Sequence, residues 1–130
     1  MPNRKIVARE LSALLKVLSH PDRIQIIQFL ASRGEHSVSN IAEKLDLPQT
    51  RVSQHLALLR THRLVVEQAE GRERIYDLST NQLAWWLVDG VDFVAGNIGD
   101  VTDEQVSDAR NLWVGAFTDA RFDAARKTGT

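Results

Sequence analysis

Apolar residues recur at helical spacing along the first half of the chain, then alternate briefly as in strands. Ile6, Leu11, Leu14, Leu15 and Leu18 form one stripe over residues 4–18. Ser19-His20-Pro21-Asp22 reads as the start of a second helix, with Ser19 as cap, Pro21 in the first turn and Asp22 at the positive end of the dipole. Ile24, Ile27 and Leu30 are its expected buried face, and Arg33-Gly34 its end. Ser37 opens a third helix with Ile41 and Leu45 inward, and Asp46-Leu47-Pro48 turns the chain. In a fourth helix, Val52, Leu56 and Leu59 recur at i, i+4 and i+7. The residues between them, Gln49, Thr50, Arg51, Ser53, Gln54 and His55, are expected to face outward. Leu64-Val65-Val66 begins a strand, Glu70-Gly71-Arg72-Glu73 turns, and Ile75-Tyr76-Asp77-Leu78 returns.

Beyond this hairpin the pattern changes. Ser79-Thr80-Asn81-Gln82 has the form of a capping box. It leads into Leu83, Trp85, Trp86, Leu87, Val88, Val91, Phe93 and Val94, a helix apolar nearly all round. Two sides of such a helix need cover, and in a domain this small the second cover is most simply another protomer. Gly96-Asn97-Ile98-Gly99 breaks the pattern. Thr102-Asp103-Glu104-Gln105 is a second capping box, before a last stripe of Val106, Ala109, Trp113, Phe117 and Ala120. The predicted architecture is mainly α with a small β-hairpin: four helices, two strands and a fifth helix, plus an extra C-terminal helix. Residues 1–100 are read as a winged helix-turn-helix domain for DNA binding and dimerisation, and 101–130 as a helical extension of it.

Charge sharpens the picture. No acidic residue lies between Asp46 and Glu67, while that window holds Arg51, His55, Arg60, His62 and Arg63. Residues 1–78 carry twelve Lys and Arg against nine Asp and Glu, and residues 79–130 carry four against eight. A basic front and an acidic back suit a domain that turns one face to a polyanion; chance partition is the alternative. The 130 residues make one domain, with no apolar run long enough to span a membrane and no leader-like start, so a cytoplasmic protein is expected. Without cysteine, thiolate metal sites and thiol redox switching are excluded for this sequence.

The runs Leu18-Ser19-His20-Pro21-Asp22-Arg23-Ile24, Ile41-Ala42-Glu43-Lys44-Leu45 and Val52-Ser53-Gln54-His55-Leu56-Ala57-Leu58-Leu59-Arg60 are followed by Leu64-Val65, Gly71-Arg72 and Tyr76. In this order, over about residues 10 to 95, they resemble the ArsR/SmtB family of dimeric bacterial transcriptional repressors. The resemblance implies a winged-helix homodimer whose first and fifth helices form the interface. The family usually senses metals, and here the sequence departs from it. Ser37 and Ser39 stand at the positions of a common Cys-x-Cys pair, and Thr80, Gln82, Phe93 and Gly96 at those of a fifth-helix metal site. Serine oxygen is a poor ligand for soft or borderline metals.

The expected DNA-contacting residues are Gln49, Thr50, Arg51, Ser53, Gln54 and His55 on the fourth helix, with Arg72 and Arg74 in the wing. A solvated helix face is the alternative, and Glu70 and Glu73 partly neutralise the wing tip. Ser53 and His55 match family positions that touch the backbone or seat the helix. His20, His36 and His62 bind metal only if the fold gathers them; a capping role for His20 and a helix-end role for His62 are preferred. Asp89, Asp92, Asp100, Asp103 and Glu104 read as a solvated acidic face rather than a cation site. Trp85 and Trp86 point about 100° apart, one toward the core and one toward a partner or pocket, and mid-helix Gly90 suggests close approach at an interface. The expected function is a homodimeric repressor of transcription that binds an inverted repeat in double-stranded DNA, with no cofactor and no metal site. The effector is a small molecule or nothing; an atypical His/carboxylate metal site and a protein-interaction role are the alternatives. No nucleophile–base pair or phosphate loop suggests an enzyme.

Overall fold

The computed structural model describes residues 2–97 and 100–108. The chain runs α1 (Pro2–Leu18), α2 (Pro21–Arg33), β1 (His36–Ser37), α3 (Val38–Leu45), α4 (Gln49–Thr61), β2 (Val65–Glu70), β3 (Glu73–Leu78) and α5 (Gln82–Asn97). Residues 103–108 are again helical. This is the mainly helical winged helix-turn-helix that the apolar pattern predicts. Ala109, Trp113, Phe117 and Ala120, the rest of the last predicted stripe, lie outside the described residues, as do Ile98 and Gly99. Among the described residues no helix is long and apolar enough to cross a membrane.

The sheet has one strand more than the predicted hairpin. Its order is β1-β3-β2, all antiparallel, with His36 opposite Tyr76 and Ser37 opposite Ile75. A two-residue strand has no alternation to read. It exists because β3 offers it a free edge, which ties the start of α3 to the wing. The wing itself closes through Gly71, whose φ of 63° suits a residue without Cβ.

Two caps differ from expectation. His20, not Ser19, is the N-cap of α2: its Nδ1 accepts the Asp22 N–H at 3.1 Å, while Ser19 Oγ donates to the Lys16 carbonyl at 2.7 Å. Ser79 does not close a box on α5 either, because its hydroxyl donates to the Arg63 carbonyl at 2.6 Å. The other two caps form as read. Ser37 Oγ accepts the Asn40 N–H at 3.2 Å, and Thr102 and Gln105 exchange reciprocal hydrogen bonds of 2.9 and 3.1 Å.

The core gathers Ile26, Ile27 and Leu30 of α2, Ile41 of α3, Val52, Leu56 and Leu59 of α4, Val65 of β2, and Leu83 and Ala84 of α5. Ile24, expected inside, is exposed instead, and Ile26 takes its place. The helix is rotated so that Ile24 faces an apolar surface shared with α5.

Gly34 is the position where glycine is required. Its N–H donates to the Leu30 carbonyl at 2.9 Å while the backbone sits at φ 79°, ψ −158°, a region closed to residues with a Cβ. A Cβ there meets no atom within 4 Å, so the penalty is purely torsional. Gly34→Ala is expected to destabilise the fold by about 1–3 kcal/mol, measured as a lower urea midpoint at unchanged m-value.

Candidate nucleic-acid interface

Helix α4 is docked by its buried residues Val52, Leu56 and Leu59, and the opposite surface is open. Gln49, Thr50, Arg51, Ser53 and Gln54 are all exposed, as the spacing predicts. Pro48 precedes the helix and offers no side-chain cap, and no acid sits in the first turn. The first turn of α4 therefore has neither a capping side chain nor an acid to offset the positive end of the helix dipole.

His55 departs from the outward face that its neighbours share, being only 8% exposed. One helical turn after Arg51, it turns under α4 and packs on the first turn of α2. Its ring lies 4.5 Å from that of His20, its Nδ1 3.3 Å from Arg23 Nη1, and its Nε2 3.5 Å from Asp22 Oδ2. Arg23 is held in turn by a bond from Nε to the Val17 carbonyl, 2.5 Å long. Burial first, then the neighbouring His20 ring and the Arg23 guanidinium, pushes the His55 imidazole below its ordinary pKa, against the pull of Asp22. Asp22 also faces Arg51 from 3.9 Å, with the arginine side chain still 53% exposed.

The two wing arginines separate. Arg72 is exposed at the tip beside Gly71. Arg74 is exposed too, but its Nη1 donates to Glu67 Oε1 at 2.6 Å. Glu67 also accepts the Tyr76 hydroxyl at 2.5 Å and lies 3.5 Å from Arg60. The tyrosine bond first, then Arg60 and Arg74, hold the Glu67 carboxyl below its usual pKa. Burial and the same bond push the Tyr76 phenol up to about 12. Tyr76 is the single tyrosine of the chain, so its ionisation can be followed by ultraviolet absorption. The expected midpoint is about 12, moving down toward 10 in Glu67→Gln as the hydrogen bond and charge are lost. An acid raised on folding stabilises the native state below its unfolded pKa, so this contribution disappears as pH climbs from about 10.

Between the wing, α3 and α4 lies a cleft of about 280 Å³, lined by Gln49 and Ser53 of α4, Ser37 and Ser39 at the start of α3, and Arg72 and Arg74. The fold thus brings Gln49 and Ser53 of the predicted helix residues to one place with the wing arginines Arg72 and Arg74, beside Glu73. Ser39 joins them unannounced: it is exposed, and its hydroxyl is 3.2 Å from that of Ser37. The β1–β3 pairing and the packing of α3 on α4 put it there.

A family model described as a helix-turn-helix domain matches residues 18–68. The biofilm growth-associated repressor of Agrobacterium fabrum is 36% identical over 84 residues, covering 65% of this chain and 71% of that protein. The arsenical resistance operon repressor of Escherichia coli is 36% identical over 72 residues, which are 55% of this chain and 62% of that repressor. A homodimeric winged helix-turn-helix DNA-binding domain from Mycobacterium bovis superposes with a TM-score of 0.62 at 25% identity, over 75% of this chain and 88% of that one. The chain belongs to the ArsR/SmtB family. As a member of this family of transcription regulators it keeps the helix-turn-helix and wing. Ser37 is a buried helix cap.

The rest of the ArsR/SmtB frame is an apolar surface. Ile6, Val7, Leu11 and Leu15 of α1 are exposed, and so are Trp86 (43%) and Phe93 (61%) of α5. Trp85 packs against the core, while its neighbour Trp86 is exposed. Leu15, Leu18, Ile24, Trp86 and Phe93 line a groove of about 530 Å³ between the two helices. A Cβ added at Gly90 would meet no atom within 4 Å, so no close approach among the described residues accounts for this glycine.

Proposed function

We propose that this ArsR/SmtB protein is a homodimeric repressor that binds an inverted-repeat operator, with α4 in the major groove and the wing beside it. The observation that carries this reading is the exposed, acid-free surface of α4, set rigidly on the core by Val52, Leu56 and Leu59. Arg51 and Gln54 carry base recognition, since arginine pairs with guanine and glutamine with adenine along their groove edges. Gln49, Thr50 and Ser53 serve the backbone, and Arg72 reaches phosphate or the minor groove from the wing tip. Arg74 contributes chiefly by holding the wing through Glu67. His55 acts indirectly, seating α4 on α2.

The exposed apolar faces of α1 and α5 support the dimer: a monomer rarely leaves so many large apolar side chains uncovered on adjacent helices. Two-fold symmetry then sets the recognition helices about 34 Å apart, one turn of DNA. Residues 1–100 carry both activities, and 101–130 extend the same domain. The test is a gel-shift on DNA from the gene's own upstream region, with light scattering for the mass. A dimer and a salt-sensitive, sequence-preferring complex at submicromolar protein are expected. A monomer, or equal binding to scrambled DNA, refutes the reading.

A further inference from the structure

We propose that His20, Asp22 and His55 form a site for one divalent transition-metal ion of the zinc class. The sequence holds two of these residues at the start of α2 and the third 33 positions later on α4, so no ligand spacing announces them. The fold brings one ligand atom of each within 4.8 Å of the other two. A tetrahedral zinc site with bonds near 2.0–2.1 Å needs ligand atoms about 3.3 Å apart. The His55 Nε2–Asp22 Oδ2 edge is already 3.5 Å, so closure asks for small side-chain rotations, not backbone movement.

Two imidazoles and one carboxylate are the donor set that zinc, cobalt and nickel accept, and a fourth position is left to water. A second observation points the same way. His55 Nε2 is fully buried and meets Asp22 Oδ2 at 3.5 Å, close enough for an ion pair but without a well-formed hydrogen bond. A cation bridging Nε2 to Asp22 and His20 replaces that loose contact with direct bonds.

The site has a defined cost. In the metal-free protein Arg23 faces His55 Nδ1, so the ring proton belongs on Nε2. Metal at Nε2 releases that proton, Nδ1 takes one up, and Arg23 Nη1 turns away while its Nε keeps the Val17 carbonyl. On His20 the metal competes with the Asp22 N–H for the ring. These exchanges lower the affinity without removing a ligand.

Occupancy also engages the carboxylate that stands 3.9 Å from Arg51. With Asp22 bound to a cation, Arg51 is released from it, and α4 is fastened to α2 through His55. If the operator-binding reading holds, metal therefore strengthens DNA binding. That consequence rests on the proposed function; the site itself does not, and its test uses no DNA.

The full chain, stripped with chelator, is titrated with Co2+ in visible absorption and with Zn2+ by calorimetry. One ion per chain is expected, with the intense visible bands of a four- or five-coordinate cobalt centre. His20→Asn keeps a cap on the Asp22 N–H but removes the imidazole, and Asp22→Asn keeps the shape of the side chain. Each is expected to weaken binding at least about 10-fold, and His62→Ala to leave it unchanged. Circular dichroism melts show that the variants are folded. The proposal fails if cobalt gives only the pale octahedral spectrum, if both variants bind as the parent does, or if His62→Ala abolishes binding.

Discussion

Replacing Arg51 and Gln54 together by alanine is expected to weaken operator binding by roughly 30-fold to 10⁴-fold, from about 1–3 kcal/mol for each base contact. Both side chains are exposed on α4 and neither helps to hold the helix, which is docked by Val52, Leu56 and Leu59. The double variant should therefore fold with unchanged stability, apart from the weak attraction between Asp22 and Arg51 across 3.9 Å. Gel-shift titrations at two salt concentrations separate the ways in which these residues act. If Arg51 reads a base, its loss relaxes preference at one operator position and changes the salt slope little. If it meets phosphate, affinity falls equally on all sequences and the slope drops by about one. Binding unchanged on every sequence removes α4 from the interface and with it the proposed function.

Leu56→Ala is expected to cost about 2–5 kcal/mol of folding stability, because it empties a fully buried site between α4 and the rest of the core. For a chain of this size that is a large share of the roughly 5–15 kcal/mol that holds a typical domain together. Chemical denaturation should show a much lower midpoint, and DNA binding measured well below that midpoint should persist. Adjacent turns of one helix carry stability on one face and recognition on the other, so this loss and that of Arg51 and Gln54 should dissociate. A Leu56→Ala protein as stable as its parent contradicts the packing described for α4.

Most of the fold is legible in the chain. Helical spacing places α1 to α5, and Pro48, Gly34 and Gly71 mark boundaries correctly because each is tied to local backbone geometry. Exposure of Gln49, Thr50, Arg51, Ser53 and Gln54 follows from the same spacing. Three features escape it. A polar His55 reads as an outward residue, yet α2 supplies Asp22 and Arg23 to receive it. Ile24 and Ile26 exchange places, since a stripe broad enough to include both does not say which way the helix rolls. β1 has two residues and exists only through its pairing with β3.

By itself the sequence determined most of what depends on neighbours within a few positions: the helices, the wing turn, the acid-free window and the absence of thiols, but not that His20 rather than Ser19 caps α2. Periodicity and backbone preference act over one or two turns, so they can be read from a single chain. What the tertiary structure alone decided is which side chains from distant segments share a space. It set Ser39 beside Arg72 and Gln49, anchored Arg74 to Glu67, and drew His55 to His20 and Asp22. Those encounters arise from how the buried faces of α2, α3 and α4 roll against one another, and that packing belongs to no local stretch of the chain.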